Sequence, residues 1–109
     1  AVDYCGVKSG KDTDKFKDMK LTALPADVVK APLLEESPVN IECRVKQTLR
    51  LGTHDMYVAE VVAVHADESY MDEKGRFLFE DADPIAYSHG SYFTLGEKLG
   101  TFGYSVKKR

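Results

Sequence analysis

A histidine that follows a glycine turn is the first group in this sequence that could do chemistry. Gly52-Thr53-His54 opens onto the longest β-like run of the chain, residues 55–65. Glycine permits a sharp turn or the close approach of a ligand, and a histidine at the start of a strand is held by the sheet yet stays reachable. An imidazole there can form hydrogen bonds or supply charge near pH 7. The alternative interpretation is a surface histidine at the end of a hairpin.

A second candidate group is the ammonium of Lys15, which can supply positive charge. It lies in a short helical stretch whose local backbone is set by Ser9-Gly10 and Asp12. Taken alone, a lysine in such a place is a solvated surface group. His65 and His89 are weaker candidates, because the first ends a strand before an acidic loop and the second lies in a turn.

Composition bounds the class of protein. The chain has 109 residues, 43% of them hydrophobic and 30% charged, which indicates one soluble globular domain. Eighteen acidic against fifteen basic residues give a net charge of −3, which argues against nucleic acid as a partner. The basic run at 107–109 is interpreted as a solvated tail. No stretch is long and apolar enough to span a membrane.

The cysteines and the motif search narrow the chemistry further. Cys5 and Cys43 are too few and too far apart for a metal cluster or a disulfide framework, and Cys43 is expected to be a small buried hydrophobe. Two free thiols without a signal peptide indicate the cytoplasm. The sequence contains no hydrolase, zinc-protease or phosphate-loop motif, and no metal ligands are assigned.

The elements that position these groups are mostly short strands and glycine turns. A short helix is predicted over Thr13–Met19 with an Asp or Ser ahead of it as its cap, and an irregular extended segment over Leu21–Pro38, where prolines interrupt any regular element. Val39–Val45 alternates with period two, which predicts a strand with Asn40, Glu42 and Arg44 on its wet face. Residues 56–65 predict a central strand covered on both sides.

The second half continues in the same style. Residues 67–75 are acidic and turn-like, and Asp81-Ala82-Asp83-Pro84 is a break. Ile85-Ala86-Tyr87 and residues 91–95 predict two short strands around Ser88-His89-Gly90. We therefore predict an all-β barrel or sandwich with one short helix.

Four segments, in order along the chain, resemble one family. The segment at 9–16 resembles an SGxxxDKF element, and the segment at 31–43 resembles a strand lead-in of the type aPLI-e-pv-leC. Gly52-Thr53-His54 with residues 58–61 resembles a GtHxxfxGEV hairpin, and residues 92–105 resemble the C-terminal run. The family is that of the flavin reductase-like and flavoredoxin proteins, the FMN-binding split barrels.

The resemblance implies a split β-barrel that binds FMN noncovalently at or near the interface of a homodimer. The electrons would come from NAD(P)H or a redox partner. By resemblance Lys15 reaches the FMN, and His54 belongs to the flavin pocket, where it contacts the flavin or the nicotinamide without shuttling protons. Tyr87 would stack on the ring in preference to Tyr92. Ser9 and Gly10 would offer a hydroxyl and backbone N–H groups.

The sequence departs from the family pattern in two ways. Ala59 stands where the family usually has glycine, and the strands that normally precede the SGxxxDKF element are not in this sequence. Residues 1–109 are therefore expected to be the C-terminal portion of one flavin reductase-like domain. Two alternatives stay open. One is a non-catalytic β-barrel fragment that self-associates through unpaired strand edges, and the other is a barrel that binds heme or a different flavin.

Overall fold

The computed structural model describes residues 1–106, so the basic run at 107–109 lies outside the described residues. Two compact units divide the chain, residues 1–77 and residues 78 onward, and each is considered by itself. Within the described residues, no helix has the length and apolar character that crossing a membrane requires.

Two short helices open the first unit, α1 (Val2–Val7) and α2 (Lys15–Asp18). The carboxylate of Asp14 caps α2 by accepting the N–H of Lys17, so the predicted helix is present but shorter than Thr13–Met19. The sequence analysis predicts no helix at residues 2–7, where α1 lies. The Tyr4 hydroxyl donates to the Asp18 carboxylate at 2.6 Å, which ties α1 to α2. A hydrogen bond between two side chains so far apart in sequence produces no periodic pattern from which it could be predicted.

A long antiparallel hairpin follows, formed by β3 (Val39–Arg50) and β4 (Asp55–Ala66). Its turn closes where the sequence predicts: the N–H of Leu51 donates to the carbonyl of His54 at 3.0 Å, and Gly52 has φ +101°, which a side chain would disfavour. The register shifts between Glu42 and Cys43 and again between Val45 and Gln47. Both strands are therefore confirmed, and β4 extends one residue beyond each end of the predicted run at residues 56–65.

Burial along this hairpin contradicts the expectation at Glu42 and Cys43, whereas Arg44 is exposed as predicted. Glu42, predicted on the wet face of β3, is 2% exposed and is the buried residue of the described chain, whereas Cys43 is exposed. Strand β4 pairs only with β3, and its Tyr57 and Val64 are each 62% exposed, so within residues 1–106 it is neither central nor covered. An apolar run predicts that a strand packs against other apolar groups, but it does not predict which part of a polypeptide supplies them.

The segment before the hairpin explains why Glu42 is buried. Strands β1 (Ala23–Leu24) and β2 (Leu33–Leu34) form a short antiparallel pair, and the rest of residues 21–38 is irregular, as predicted. The Asn40 side chain accepts the N–H of Leu34 at 2.9 Å and donates to its carbonyl at 3.0 Å. This bidentate contact holds the segment against the Asn40 and Glu42 side of β3.

The second unit contains the predicted second hairpin, β5 (Ile85–Ser88) and β6 (Ser91–Thr94). His89 and Gly90 both have positive φ, 53° and 76°, which is the pattern of the tight turns that suit strand twist. Asp83 also lies in the left-handed region, at the break before Pro84. Three 3-10 helical turns complete the described chain, at Glu68–Tyr70 in the first unit and at Phe79–Ala82 and Tyr104–Val106 in the second.

The acidic turn at residues 71–77 is organised by one carboxylate. Asp72 accepts the backbone N–H groups of Lys74 at 2.9 Å and Arg76 at 2.8 Å, and the Arg76 guanidinium lies 3.4 Å away. The N–H of Arg76, followed by that of Lys74 and the guanidinium charge, lowers the pKa of Asp72 below its usual range despite partial desolvation. The ionised form is thus the form that the turn requires.

This turn should open in acid. Because the pKa of Asp72 is lower in the folded chain than in the unfolded chain, its stabilisation is present above the unfolded-state value of about 4 and is lost as the pH falls through the folded value. We expect the protection factors of the Lys74 and Arg76 amides, measured by NMR as exchange relative to an unstructured peptide at the same pH, to fall as the pH is lowered from about 5 to about 2. Asp72→Asn should exchange fast at every pH, and Asp81→Asn should follow the parent. Equal protection in Asp72→Asn and the parent would contradict this role.

Candidate functional site

The turn at residues 9–13 is built on Ser9. Its carbonyl accepts the hydroxyl of Thr13 at 2.8 Å, and its hydroxyl accepts the N–H of Lys11 at 3.2 Å. A side chain built on Gly10 would meet no atom within 4 Å, so the backbone there faces open space. Ser9 is thus occupied in shaping the turn, whereas Gly10 leaves the turn open to a ligand.

Lys15, at the start of α2, is half-buried and carries an ammonium group with little local compensation. Its Nζ donates to the carbonyl of Cys5 at 2.5 Å. Among residues 1–106 it has no carboxylate ion-pair partner. An ammonium has three donors, so Lys15 can engage an anion with the donors that the Cys5 carbonyl leaves.

His54 ends the hairpin turn and is exposed. Its Nδ1 lies 3.0 Å from the Thr53 hydroxyl, and its carbonyl closes the turn by accepting the N–H of Leu51. The contact at Nδ1 orients the ring and leaves Nε2 directed away from it. The ring can therefore donate to, or accept from, a bound group.

Tyr87 belongs to the second unit, on β5. Its ring meets that of Tyr92 on β6 edge-on, with the centroids 5.0 Å apart, and it is 65% exposed. Edge-to-face packing fixes the ring plane while leaving much of its surface accessible. Tyr87 is available for stacking, and Tyr92 supports it.

The predicted site residues thus form local groups. Ser9, Gly10 and Lys15 share one short segment, and His54 lies on the hairpin turn of the same unit. Lys15 and His54 direct their hydrogen bonds to separate partners, Cys5 and Thr53. That they share one ligand stays a prediction.

A constellation that the sequence interpretation missed lies around Glu42. Its carboxylate, with no exposed side-chain surface, accepts the backbone N–H of Asp27 at 2.9 Å, Val28 at 2.7 Å and Val29 at 3.0 Å. Its Oε2 also lies 2.5 Å from Nε2 of His65, whose side chain is 29% exposed. We call these contacts the Glu42 clasp. They fasten the loop at residues 27–29 to the hairpin.

Electrostatics favour the ionised form of Glu42. Burial by itself would raise the pKa of Glu42, but the loop N–H groups and His65 outweigh it and lower that pKa to about 2. A signal for the pairing was present in the sequence: counting outward from the Gly52-Thr53 turn places Asn40 opposite His65, as the structure has it. That count puts Glu42 and His65 on one side of the hairpin as diagonal neighbours.

Removing the charge of Glu42 should release the loop. In Glu42→Gln the amide cannot accept all the hydrogen bonds that the carboxylate accepts, and its NH₂ group places donors against donors. We expect amide exchange at Val28 and Val29 to rise at least tenfold and the thermal unfolding midpoint to fall. Glu60→Gln is the matched control, since Glu60 lies on β4 with an exposed ion pair to Lys46. Unchanged exchange at residues 28 and 29 would show that the clasp does not hold the loop.

Comparison with solved structures places this architecture among split-barrel flavoproteins. Flavoredoxin of Desulfovibrio vulgaris (Miyazaki F) is 30% identical and superposes with a TM-score of 0.85, over 96% of this chain and 57% of that chain. An FMN-binding protein from Thermus thermophilus is 28% identical with a TM-score of 0.66, over 92% of this chain and 53% of that chain. A protein of Shewanella frigidimarina with a split barrel domain superposes with a TM-score of 0.72 at 22% identity, over 93% of this chain and 52% of that chain. The mostly-β fold and this likeness confirm the predicted fold class.

Sequence comparison gives the same result. An uncharacterised protein of Pyrococcus abyssi is 32% identical over 95 residues, which are 86% of this chain and 53% of that protein. The chain therefore spans about half the length of the relatives it matches. Residues 1–96 match the family model described as "Flavin reductase like domain". The chain belongs to the flavin reductase-like family.

Proposed function

We propose that this chain is part of an FMN-binding oxidoreductase, a flavin reductase or a flavoredoxin-like electron carrier. Electrons would pass from a reduced nicotinamide or a redox partner through noncovalent FMN to an acceptor. The observation that carries the proposal is the match to the flavin reductase-like domain over residues 1–96. The Thermus thermophilus relative described as FMN-binding supports FMN as the flavin.

The residues present suit an anionic flavin nucleotide. Lys15 has an ammonium without a carboxylate partner among the described residues, and Gly10 leaves its turn open. Positive charge and N–H donors are what a phosphate or the electron-rich edge of a reduced flavin requires. FMN, when bound, supplies the hydride and electron chemistry itself, so the protein has to bind it and orient it.

His54 is the residue proposed to act closest to the reaction. With Nδ1 held by Thr53, its Nε2 can contact the flavin or the nicotinamide. Hydride transfer depends on alignment more than on acid–base help, so His54 is assigned an orienting role and not proton transfer. Tyr87 would provide a flat aromatic surface for the ring, and Ser9 would shape the turn beside Lys15.

The proposal includes the location of the protein in the cell and its oligomeric state. A cytoplasmic location and a homodimer with the flavin near the subunit interface accompany the flavoredoxin-like assignment. Two thiols without a disulfide, Cys5 and Cys43, are consistent with a reducing compartment.

Flavin binding is tested by titrating FMN with the purified chain and following the quenching of flavin fluorescence. We expect saturable quenching that Lys15→Ala and His54→Ala each weaken about tenfold, the loss of one charged or hydrogen-bonded contact of roughly 1.4 kcal/mol. Lys17→Ala is the matched control, because Lys17 lies on the same helix and is exposed. Identical curves for all four proteins would remove Lys15 and His54 from the site, and no quenching by the parent would refute flavin binding by this chain.

A second candidate function is supported by the exposure of the apolar side chains. No apolar side chain among residues 1–106 is buried, and Ile41, Val45, Val61 and Val64 along the hairpin are each more than half exposed. Such a surface, with two-stranded sheets whose outer edges are unpaired, favours self-association. The alternative is therefore a non-catalytic β-barrel fragment that self-associates and binds flavin weakly or not at all.

Sedimentation velocity and the visible spectrum separate the two functions. A protein of the flavoredoxin type should purify yellow, or turn yellow with FMN, and the bound flavin should sediment with it. The alternative predicts a colourless protein that sediments as a dimer or larger and leaves added FMN behind. Val45→Lys, which places a charge on the exposed apolar face, should then reduce the sedimenting mass, whereas Lys46→Glu should not.

A further inference from the structure

Two carboxylates and an imidazole from three separate segments converge beside the Glu42 clasp. Asp27 comes from the loop after β1, Glu42 from β3 and His65 from β4, and one ligand atom of each lies within 4.8 Å of the others. The Nε2 of His65 is 2.5 Å from Oε2 of Glu42 and 3.8 Å from Oδ2 of Asp27. Both acidic groups are thus directed at the same ring nitrogen.

The central donor of this group is rigidly oriented. Glu42 Oε1 accepts the N–H groups of Val28 and Val29, and Oε2 accepts that of Asp27. Hydrogen bonds of this kind behind a carboxylate fix the direction of its remaining lone pairs, as the outer shell of a metal site does. The remaining contact of Oε2, to the imidazole of His65, is the exchangeable one.

The charges of the three groups call for a cation. With a neutral imidazole the cluster carries two negative charges, and among residues 1–106 no lysine or arginine forms an ion pair with Asp27 or Glu42. The loop N–H groups satisfy Glu42 with dipoles only and leave Asp27 uncompensated. A divalent ion between the three ligands would balance both carboxylates.

We propose that Asp27, Glu42 and His65 bind a divalent transition-metal cation of the Zn²⁺, Co²⁺ or Ni²⁺ type. One imidazole nitrogen and two carboxylate oxygens are donors that these ions accept. Donor atoms about 2.0–2.2 Å from a metal stand about 3 Å or more apart. The Nε2–Oε2 distance therefore lengthens by roughly half an ångström as the ring proton moves to Nδ1, which needs only side-chain rotation.

The exposure of the three residues fits an accessible site. The Asp27 side chain is 74% exposed, that of His65 is 29% exposed and that of Glu42 is fully covered. The ion would enter from the Asp27 side and keep water ligands there, while Glu42 anchors it from within. Bound metal would cross-link the loop at residues 27–29 to both strands of the hairpin, which stabilises the folded chain by mass action.

Asp27 allows the metal site to be separated from the clasp. Its backbone N–H belongs to the clasp and is retained in Asp27→Asn, whereas its carboxylate makes only the exposed 3.8 Å approach to His65. Exposed ion pairs of that kind contribute little to stability. Asp27→Asn should therefore leave the unfolding midpoint of the metal-free protein nearly unchanged while removing a metal ligand.

The probe is Co²⁺, added to the chelator-treated chain and followed by absorption, with Zn²⁺ added in a parallel thermal unfolding experiment. We expect saturation at one Co²⁺ per chain with the spectrum of nitrogen and oxygen ligands, and a Zn²⁺-dependent rise of the unfolding midpoint. Asp27→Asn should weaken binding at least tenfold, His65→Ala should abolish it, and Asp81→Asn should bind as the parent does.

Three results would overturn the proposal. One is no saturable Co²⁺ binding by the parent, and another is an Asp27→Asn affinity equal to that of the parent. The third is a thiolate-to-metal absorption band, which would assign the ion to Cys5 or Cys43 instead. None of these results bears on FMN binding, because the flavin titration uses a different ligand and different variants.

Discussion

The ionised carboxylate of Glu42 is the interaction on which the first unit depends. It is the buried side chain of the described chain, and its partners are main-chain donors from a loop that precedes it by thirteen to fifteen residues. Removing a charge from water is costly unless hydrogen bonds replace the lost hydration. Here the loop N–H groups and the His65 ring replace that hydration. The same contacts therefore offset the cost of burying the charge and hold an irregular, proline-containing segment in place.

Among residues 1–106, where no apolar side chain is buried, side-chain hydrogen bonds make the links between segments. Asn40 fastens Leu34, Glu42 fastens residues 27–29 and Tyr4 fastens α1 to α2. Ile41, Val45, Val61 and Val64 of the hairpin, by contrast, are each more than half exposed. Hydrophobic burial normally supplies most of the stabilisation of a fold. Covering the apolar faces of β3 and β4 with further polypeptide would therefore stabilise the fold.

The sequence predicted the elements that are encoded locally. Gly52 sets a turn that only a residue with positive φ makes easily, and the alternation from Val39 onward defines β3. The His89-Gly90 pair defines the tight turn of the second hairpin. The elements that escaped prediction depend on contacts distant in sequence: α1 on Tyr4 with Asp18, and the burial of Glu42 on the loop at residues 27–29. Period-two alternation predicts the correct strand but not the burial of Glu42, because the alternation assigns every polar residue to the wet face.

In the candidate site, too, locally encoded features were predictable and contacts between distant segments were not. Lys15 and His54 were identified from their residue types and their resemblance to family motifs, and the structure adds what each contacts. The sequence makes His65 a weak candidate because it ends a strand before an acidic loop, yet the register of the hairpin brings it to Glu42. Asp27 carried no signal at all, since a lone acidic residue in an irregular segment is typical of surface loops.

The hydrogen bond from Lys15 to the carbonyl of Cys5 opposes any ligand that must draw the ammonium out of its place beside α1. An anion that draws Nζ away leaves α1 attached through the Tyr4 hydroxyl and through the chain itself. Part of the binding free energy is then spent on detaching the peptide group of Cys5. Occupancy at Lys15 and the order of the first eight residues are therefore thermodynamically linked, with tighter capture accompanied by a looser amino-terminal helix.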